Sequence, residues 1–150
     1  MELILWRHCD AEAAAPDASR RLTPRGHAQA HRMAGWLTTR LPAACRMLVS
    51  PAVRAQQTAA ALRRPFETAR ELAPGATAAD VLRIAGWPEA PGTTLIVGHE
   101  PTLSQVAARV LSDEAAGWSL DKGAVVWLAT PDDGETVVVK VEIGPDSVAA

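Results

Sequence analysis

Lysine is nearly absent from this 150-residue chain, and charge of neither sign dominates it. Lys122 and Lys140 are the only lysines, so arginine supplies the other basic side chains. The 15 Lys and Arg residues against 17 Asp and Glu give a formal net charge of −2 at pH 7. The sequence therefore predicts no global basic field that would attract nucleic acid or an anionic membrane surface.

Cysteine and long apolar stretches are scarce as well. Cys9 and Cys45 are the only two cysteines, and they lack the spacing of a metal-binding motif. Reduced thiols in a cytoplasm are the simplest interpretation. The Met1-Glu2 start shows no basic segment followed by a long apolar one, and no apolar run approaches the length of a membrane span. We expect a soluble, cytoplasmic protein.

The chain length fits a single domain over residues 1–150, with a core large enough to need no metal or disulfide. Short apolar runs, typical of buried strands, alternate with segments of helical periodicity. Strands are predicted at 3–6, 47–49 and 94–97, with a weaker edge strand at 66–70, and helices are predicted to begin at Thr23-Pro24, Ser50-Pro51, Thr77 and Glu100-Pro101.

Two final apolar segments, 124–129 and 136–143, flank the turn sequence Pro131-Asp132-Asp133-Gly134. This arrangement predicts a β-hairpin at the C-terminus. Together with the alternating strands and helices before it, the hairpin predicts an α/β fold. Its sheet would be mixed but mostly parallel, and helices would cover it.

Polar side chains with catalytic potential follow three of the predicted strands. Arg7 and His8 end the first strand, Arg54 lies in the helix after the second, and His99 follows the 94–97 strand. In an open α/β sheet, ligands bind at the carboxyl ends of the strands. The start of a helix adds unpaired N–H groups and partial positive charge at the same edge. The sequence therefore predicts a phosphate pocket that contains a nucleophile.

These residue types indicate a two-step phosphoryl transfer. A neutral imidazole nitrogen of His8 would attack phosphorus and form a covalent phosphohistidine. Arg7 and Arg54 would neutralise the charge on the transferring group, and a protonated His99 would donate a further hydrogen bond. Water would then hydrolyse the phosphoenzyme. Since these side chains supply the positive charge, we expect neither a metal nor another cofactor.

Four motifs, in this order, resemble the histidine phosphatase (phosphoglycerate mutase-like) superfamily. They read Leu3-x-Leu5-x-Arg7-His8, Leu22-Thr23-x-x-Gly26, Ser50-Pro51-x-x-Arg54-Ala55-x-Gln57-Thr58 and Val97-Gly98-His99. The short chain, with no large insertion after the second helix, most resembles the SixA-type phosphohistidine phosphatases. The resemblance implies a three-layer α/β/α sandwich, with His8 as the nucleophile and a phosphate pocket completed by Arg7, Arg54 and His99. It also implies a substrate protein that bears phosphohistidine, such as a phosphotransfer domain.

Two positions depart from the family pattern. Cys9 stands where the family has glycine, which adds a side chain next to the nucleophile. Pro74 stands where mutase-like members place an acidic residue as general acid, and the carboxylates near the motifs are Asp10, Glu71 and Glu100. An imidazole leaves without the protonation that an alkoxide needs, because its conjugate acid has a pKa of about 6.5. A site without a general acid therefore favours P–N over P–O substrates.

The residues leave two other functions open. The same site would serve a phosphatase of a small-molecule phosphate ester, or a phospho-ligand binding module whose catalysis has decayed, with Cys9 as the cause. A basic cluster near the site could recruit an acidic or phosphorylated partner, but a solvated loop is the preferred interpretation; the cluster comprises Arg20, Arg21 and Arg25.

His27 and His31 stand one helical turn apart and form a possible metal pair. The zinc-protease version of this spacing requires Glu after the first histidine, and this chain has Ala28 there. Both histidines fall on the flank of the helix away from its apolar residues. A solvated helix face is therefore the preferred interpretation.

Overall fold

The computed structural model describes residues 1–112, 117–131 and 136–149. The strands are β1 (Glu2–Arg7), β2 (Arg46–Val49), β3 (Glu67–Thr68), β4 (Thr93–Gly98), β5 (Val125–Ala129) and β6 (Val138–Ile143). The helices are α1 (Pro24–Thr38), α2 (Val53–Ala60), α3 (Ala78–Ala85) and α4 (Thr102–Val110). In these ranges no helix is both long and apolar enough to cross a membrane.

Within the described residues the strands form one six-stranded sheet in the order β3-β2-β4-β1-β5-β6. The first four strands in this order run parallel, whereas β5 pairs antiparallel with β1 and β6 antiparallel with β5. The predicted mixed sheet with its C-terminal antiparallel pair is confirmed. The expected edge strand over 66–70 corresponds to β3, and the expected turn at 132–134 lies outside the described residues.

Side chains of β1 alternate between two apolar layers. Leu3 and Leu5 pack with residues of α3 and α4 on one face of the sheet, and Ile4 and Trp6 pack with residues of α1 and α2 on the other. All four side chains are fully buried. A parallel strand covered on both faces needs apolar residues at every position, which is why 3–6 forms an uninterrupted apolar run. The expected three-layer α/β/α architecture is confirmed.

Two helices begin at the residues that the sequence indicates. The hydroxyl of Thr23 accepts a hydrogen bond from the N–H of Gly26 at 3.0 Å, and Pro24 is the first helical residue of α1. Thr77 caps α3 in the same way, accepting from the N–H of Asp80 at 3.1 Å. These caps fix where the polar loops end and the helices that cover the sheet start.

The expectation that Ser50 caps the second helix is wrong. Helix α2 begins at Val53, its N-cap is Ala52, and no side chain caps it. The hydroxyl of Ser50 instead contacts the ring of His99, 49 residues away. A residue that the local sequence assigns to a helix start therefore belongs to the candidate site.

Candidate active site

The three polar strand ends meet because β2, β4 and β1 are neighbours in the sheet. The N–H of His8 donates to the carbonyl oxygen of Gly98 at 3.0 Å, which joins the end of β1 to the end of β4. On the other side of β4, the N–H of Ser50 donates to the carbonyl oxygen of Val97 at 3.0 Å. This pairing brings His8, His99 and Ser50 together at one carboxyl edge of the sheet.

The ring of His8 is held in one tautomer and is uncharged. Its Nδ1 lies 2.8 Å from the carbonyl oxygen of Cys9. Because a carbonyl only accepts, Nδ1 carries the proton and Nε2 keeps a free lone pair. Burial lowers the pKa of His8 to about 4, and the positive charges of Arg54 and Arg7 act in the same direction. At neutral pH the ring is therefore uncharged, with a free lone pair on Nε2.

The second histidine, His99, lies beside the first, and the nitrogen that contacts the protein is Nε2 in His99 where it is Nδ1 in His8. The centroids of the two rings are 5.1 Å apart, and both residues are buried. The Nε2 of His99 is 2.7 Å from Oγ of Ser50, which itself accepts from the N–H of Ala52 at 3.2 Å. Among the described residues, Nε2 of His99 is the one acceptor within hydrogen-bond distance of the Ser50 hydroxyl, so the hydroxyl proton is assigned to this contact and the ring proton to Nδ1. Burial, followed by the charges of His8 and Arg54, lowers the pKa of His99 to about 3.

Two arginines complete the cluster, and each is anchored by backbone oxygens. Arg7 donates from Nη1 to the carbonyl oxygen of Leu120 at 2.6 Å. Arg54, in the first turn of α2, donates from Nη1 to the carbonyl oxygen of Asp17 at 2.9 Å. Its Nη2 donates to Oδ2 of the same aspartate at 3.0 Å. These anchors use the Nη atoms and leave the Nε–H of each guanidinium free.

The free donors of this cluster identify the ligand chemistry. In the part of the chain that the structure describes, the buried side-chain polar atoms without a hydrogen-bond partner are Nε of Arg7, Nε of Arg54, Nδ1 of His99 and Nε1 of Trp127. Three of the four belong to this site, and all three are N–H donors. A buried donor without an acceptor costs about 1–3 kcal/mol, so such groups are rare away from ligand sites. A tetrahedral oxyanion such as phosphate supplies the matching acceptors.

Besides Arg54, helix α2 carries two further residues of the third motif, Gln57 and Thr58. The hydroxyl of Thr58 accepts from the N–H of Cys9 at 3.0 Å and donates to the carbonyl oxygen of Arg54 at 2.8 Å. Gln57 accepts from the N–H of Leu22 at 2.7 Å. These side chains tie the helix that bears the arginine to the loop that follows the nucleophile. The motif therefore includes contacts that hold α2 against the loop after His8.

The glycine of the second motif, Gly26, lies very close to the backbone of Asp10. A Cβ at this position would lie 2.0 Å from the carbonyl oxygen of Asp10. The N–H of Thr23 also donates to that oxygen, at 3.1 Å. The start of α1 thus packs directly on the backbone two residues after His8. A side chain at residue 26 would push that segment away.

The side chain of Cys9 lies in the interior and not in the site. It is fully buried in a small apolar cluster with Leu22 and Ala30. Gly123 makes room for it, because a Cβ there would lie 3.1 Å from the sulfur. Burial raises the pKa of the Cys9 thiol to about 12, so the thiol stays protonated. The side chain at the position of the family's usual glycine therefore packs into the core.

Of the three carboxylates singled out from the sequence, Asp10 has a structural role. Its Oδ2 accepts from the hydroxyl of Thr23 at 2.7 Å, and its Oδ1 accepts from Nζ of Lys122 at 2.8 Å. These hydrogen bonds lower the pKa of the Asp10 carboxyl. An ionised carboxylate that is already engaged on both oxygens is a poor proton donor.

Glu100 acts on the site through a neighbour. Its carboxylate accepts from the N–H of Ser104 at 2.9 Å and from the N–H of Leu120 at 3.2 Å. Since the carbonyl oxygen of Leu120 anchors Arg7, Glu100 helps to hold that guanidinium in place. Glu71, the third carboxylate, is exposed in a 3-10 turn over Arg70–Leu72.

The site includes one carboxylate that sequence reasoning missed. Asp17, in a 3-10 turn over Asp17–Ser19, contacts Arg54 through both its side chain and its backbone. It also pairs with Arg20 at 3.3 Å. These contacts lower the pKa of the Asp17 carboxyl. Asp17 comes from a polar, Ala-rich loop in which no spacing distinguishes it, so only the folded structure identifies it.

The proposed metal pair gains no support from the geometry. His27 and His31 are both exposed on α1. Among the described residues, no group of three or more His, Cys, Asp or Glu side chains is placed to hold a metal ion. Of the basic cluster, Arg20 lies close enough to His8 for its charge to act on the ring, whereas Arg21 and Arg25 are exposed.

Known structures share this fold over nearly the whole chain. A protein of Nakamurella multipartitia assigned as the phosphohistidine phosphatase SixA superposes with a TM-score of 0.80 at 26% identity, covering 96% of this chain and 95% of that one. The protein histidine phosphatase SixA in complex with tungstate gives a TM-score of 0.79 at 24% identity, covering 97% of this chain and 98% of that one. At that identity the second comparison shows the fold alone.

Sequence comparison leads to the same group of proteins. An uncharacterized protein of Mycobacterium tuberculosis is 39% identical over 106 residues, which cover 65% of this chain and 65% of that protein. The match thus spans slightly less than two thirds of the relative's length. The sequence pattern of the histidine phosphatase superfamily (branch 1) matches residues 3–77, half of the chain, and these residues contain the first three motifs. With His8, Arg7 and Arg54 assembled as described above, this chain belongs to the histidine phosphatase superfamily, branch 1.

Proposed function

We propose that the protein is a phosphatase that transfers a phosphoryl group to Nε2 of His8 and then to water. Its substrate would be phosphohistidine carried by a partner protein, such as a phosphotransfer domain. One observation carries the proposal: a neutral, oriented imidazole lies among three buried N–H donors that have no hydrogen-bond partner among the described residues. This combination binds an oxyanion and attacks it, with no dedicated metal or cofactor in the scheme.

In the first step the lone pair of His8 Nε2 forms a bond to phosphorus. The bond from phosphorus to the leaving atom breaks, and its electron pair departs with that atom. Arg7 and Arg54 would bind the equatorial oxygens through Nε–H, and His99 would bind them through Nδ1–H. The ring of His8 keeps its Nδ1 proton throughout, because the carbonyl oxygen of Cys9 holds it.

In the second step the oxygen of a water molecule bonds to phosphorus. The P–N bond to His8 breaks, its electron pair returns to Nε2, and both water protons leave on the phosphate product. His99 is neutral before phosphate binds, since burial lowers its pKa to about 3. The dianionic phosphoryl group favours the protonated form of the ring, whose Nε2–H then donates to the Ser50 oxygen.

Two considerations support phosphohistidine as the substrate. Asp10 and Glu100 are engaged in hydrogen bonds elsewhere, so neither is available as the acid that an alkoxide leaving group requires, whereas an imidazole needs little assistance. The Nakamurella protein assigned as SixA resembles this chain over nearly its full length. A small-molecule phosphatase on the same site is the alternative that the experiment below must exclude.

Phosphoenzyme trapping tests the mechanism. Brief reaction with a labelled phosphohistidine protein should yield a phosphoenzyme that is labile in acid and stable in base, as expected for a P–N bond. His8→Ala should abolish both labelling and turnover while the protein stays folded. Chelation with EDTA should change neither. A base-labile phosphoenzyme, or an active His8→Ala protein, would disprove the mechanism.

A comparison of substrates tests the substrate class. A phosphohistidine-bearing protein domain should be turned over faster than aryl phosphates, and aryl phosphates faster than alkyl phosphates such as phosphoglycerate, because leaving-group ability falls in that order. Fast hydrolysis of an alkyl phosphate would favour the small-molecule alternative. It would also imply that a general acid exists, with Glu71, Asp10 and Glu100 the first positions to mutate.

A further inference from the structure

The carboxylate of Asp17 forms an ion pair with Arg54, one of the two arginines of the proposed phosphate site. Its Oδ2 accepts from Nη2 of Arg54 at 3.0 Å, and its carbonyl oxygen accepts from Nη1 at 2.9 Å. The side chain of Arg54 is 5% exposed and that of Asp17 is 57% exposed. Asp17 therefore lies on the solvent side of Arg54, at the mouth of the site.

The burial of His8 defines the side on which a leaving group departs. In an in-line displacement the leaving atom lies on the side of phosphorus opposite the attacking nitrogen. His8 is 6% exposed, whereas the side chain of Asp17 is 57% exposed, so the attacking histidine lies deeper in the protein than the carboxylate. The leaving group consequently faces the mouth, where the carboxylate of Asp17 stands.

A carboxylate in this place discriminates between leaving groups by their charge. An ester oxygen gains negative charge as its bond to phosphorus breaks, and Asp17 repels that charge. A protonated phosphohistidine ring carries positive charge instead, and its N–H on the nitrogen away from phosphorus is a donor that an ionised carboxylate accepts strongly. The contacts that keep Asp17 ionised, to Arg54 and Arg20, preserve this preference.

We infer that Asp17 is a specificity-determining residue, which favours a protonated imidazole leaving group over an oxygen leaving group. The inference rests on the proposed function. As the bond from Nε2 of His8 to phosphorus forms, the substrate's P–N bond breaks and its electron pair stays on the departing nitrogen. The proton on the other nitrogen stays on the departing ring, which leaves as neutral imidazole. The step needs no separate proton donor.

The variant Asp17→Asn isolates the charge of this side chain. It keeps the size of the residue, the backbone contact and an oxygen that accepts from Arg54, but it removes the negative charge. Asp80→Asn is a matched control, because Asp80 forms a surface pair with Arg83 at the same spacing and the same 3.3 Å as Asp17 with Arg20. A general effect of removing one surface carboxylate would appear in both variants.

The experiment measures kcat/KM of the wild type and both variants on phosphoimidazole and on 4-nitrophenyl phosphate. In Asp17→Asn the kcat/KM for phosphoimidazole divided by the kcat/KM for 4-nitrophenyl phosphate should fall roughly tenfold. This is the scale of a lost hydrogen bond to a charged group. Asp80→Asn should keep the wild-type ratio. The upper pH limb with phosphoimidazole should also move to lower pH in Asp17→Asn, because the carboxylate no longer supports the proton on the substrate ring.

Other outcomes overturn the inference in distinguishable ways. Equal losses on both substrates would show that Asp17 only positions Arg54, and equal gains would show that it only competes with phosphate; in both cases the proposed function stands. Turnover of 4-nitrophenyl phosphate alone would overturn the phosphohistidine assignment and the inference with it. A wild-type protein that hydrolyses neither substrate would overturn the proposed function itself.

Discussion

Ser50 fixes the proton of His99. The Oγ of Ser50 lies 2.7 Å from Nε2 of His99 and 3.2 Å from the backbone nitrogen of Ala52. Among the described residues the hydroxyl has no other acceptor within hydrogen-bond distance, so its proton is assigned to the contact with the imidazole. The Nδ1–H of His99 is thereby available as a donor, and in the proposed mechanism it binds phosphate. In that mechanism Ser50 is a positioning residue that acts through His99.

Ser50→Ala tests this role. Without the hydroxyl, the ring of His99 can hold its proton on Nε2, and Nδ1 then presents a lone pair to the phosphate oxygens. We expect kcat/KM to fall roughly tenfold, the scale of one hydrogen bond of about 1–1.5 kcal/mol. The ¹⁵N chemical shifts of His99 should report Nδ1 protonation in the wild type and a shift towards the other tautomer in the variant. A wild-type ring protonated on Nε2 would contradict the assignment.

The sequence predicted the main residues of the candidate site better than the hydrogen bonds that surround them. Arg7, His8 and His99 follow apolar runs that are buried on both faces, and such runs are visible in a single sequence. Ser50 looked like a helix cap because Ser-Pro is a common start of a helix, and its real partner lies 49 residues away. Asp17 has no local signal at all, since its partner Arg54 is 37 residues further along the chain. Contacts across elements depend on packing, which residue spacing does not encode.

Gly26 and Gly35 lie in the same helix and should respond to alanine in opposite ways. A Cβ at Gly26 would lie 2.0 Å from the carbonyl oxygen of Asp10, whereas a Cβ at Gly35 would meet nothing within 4 Å. Gly26→Ala should destabilise the protein by about 1–3 kcal/mol, as overpacking does, and should lower kcat/KM because the loop after His8 moves. Gly35→Ala should stabilise it by roughly 0.5–1 kcal/mol. Chemical denaturation measures both, and a neutral Gly26→Ala would refute the close packing.

The buried histidines should make the protein less stable as the pH falls. Burial lowers the pKa of His8 to about 4 and that of His99 to about 3, so between an ordinary value of about 6.5 and these values the unfolded chain binds protons that the folded chain does not. Their stabilising contribution is complete above about pH 6.5 and is lost as the pH falls towards 4 for His8 and towards 3 for His99. The lowered pKa of the Asp10 carboxyl adds a further loss below about pH 4, where it overlaps the end of the His99 range.

Thermal unfolding between pH 4 and 7 measures this dependence. His99→Asn should reduce the slope of melting temperature against pH. His31→Asn, on the exposed face of α1, should keep the wild-type slope. Tungstate should also flatten the wild-type curve, because a bound oxyanion favours protonated His99 in the folded state. A slope that is unchanged in His99→Asn would show that this ring is not the source.

Arg54→Lys separates the charge of the proposed phosphate site from its geometry. Lysine keeps one positive charge, but it lacks the planar fork that donates to Asp17 through two Nη atoms while Nε–H remains for phosphate. We expect kcat/KM to fall by about 10²–10³, the range for removing one preorganised donor to a transition-state oxygen. Arg83→Lys alters an exposed arginine whose partner is Asp80, and it should stay within about twofold of the wild type. Tungstate affinity, measured by calorimetry, should fall in Arg54→Lys and not in Arg83→Lys. An Arg54→Lys protein with wild-type turnover would mean that charge alone suffices, and the fork would then have no part in catalysis.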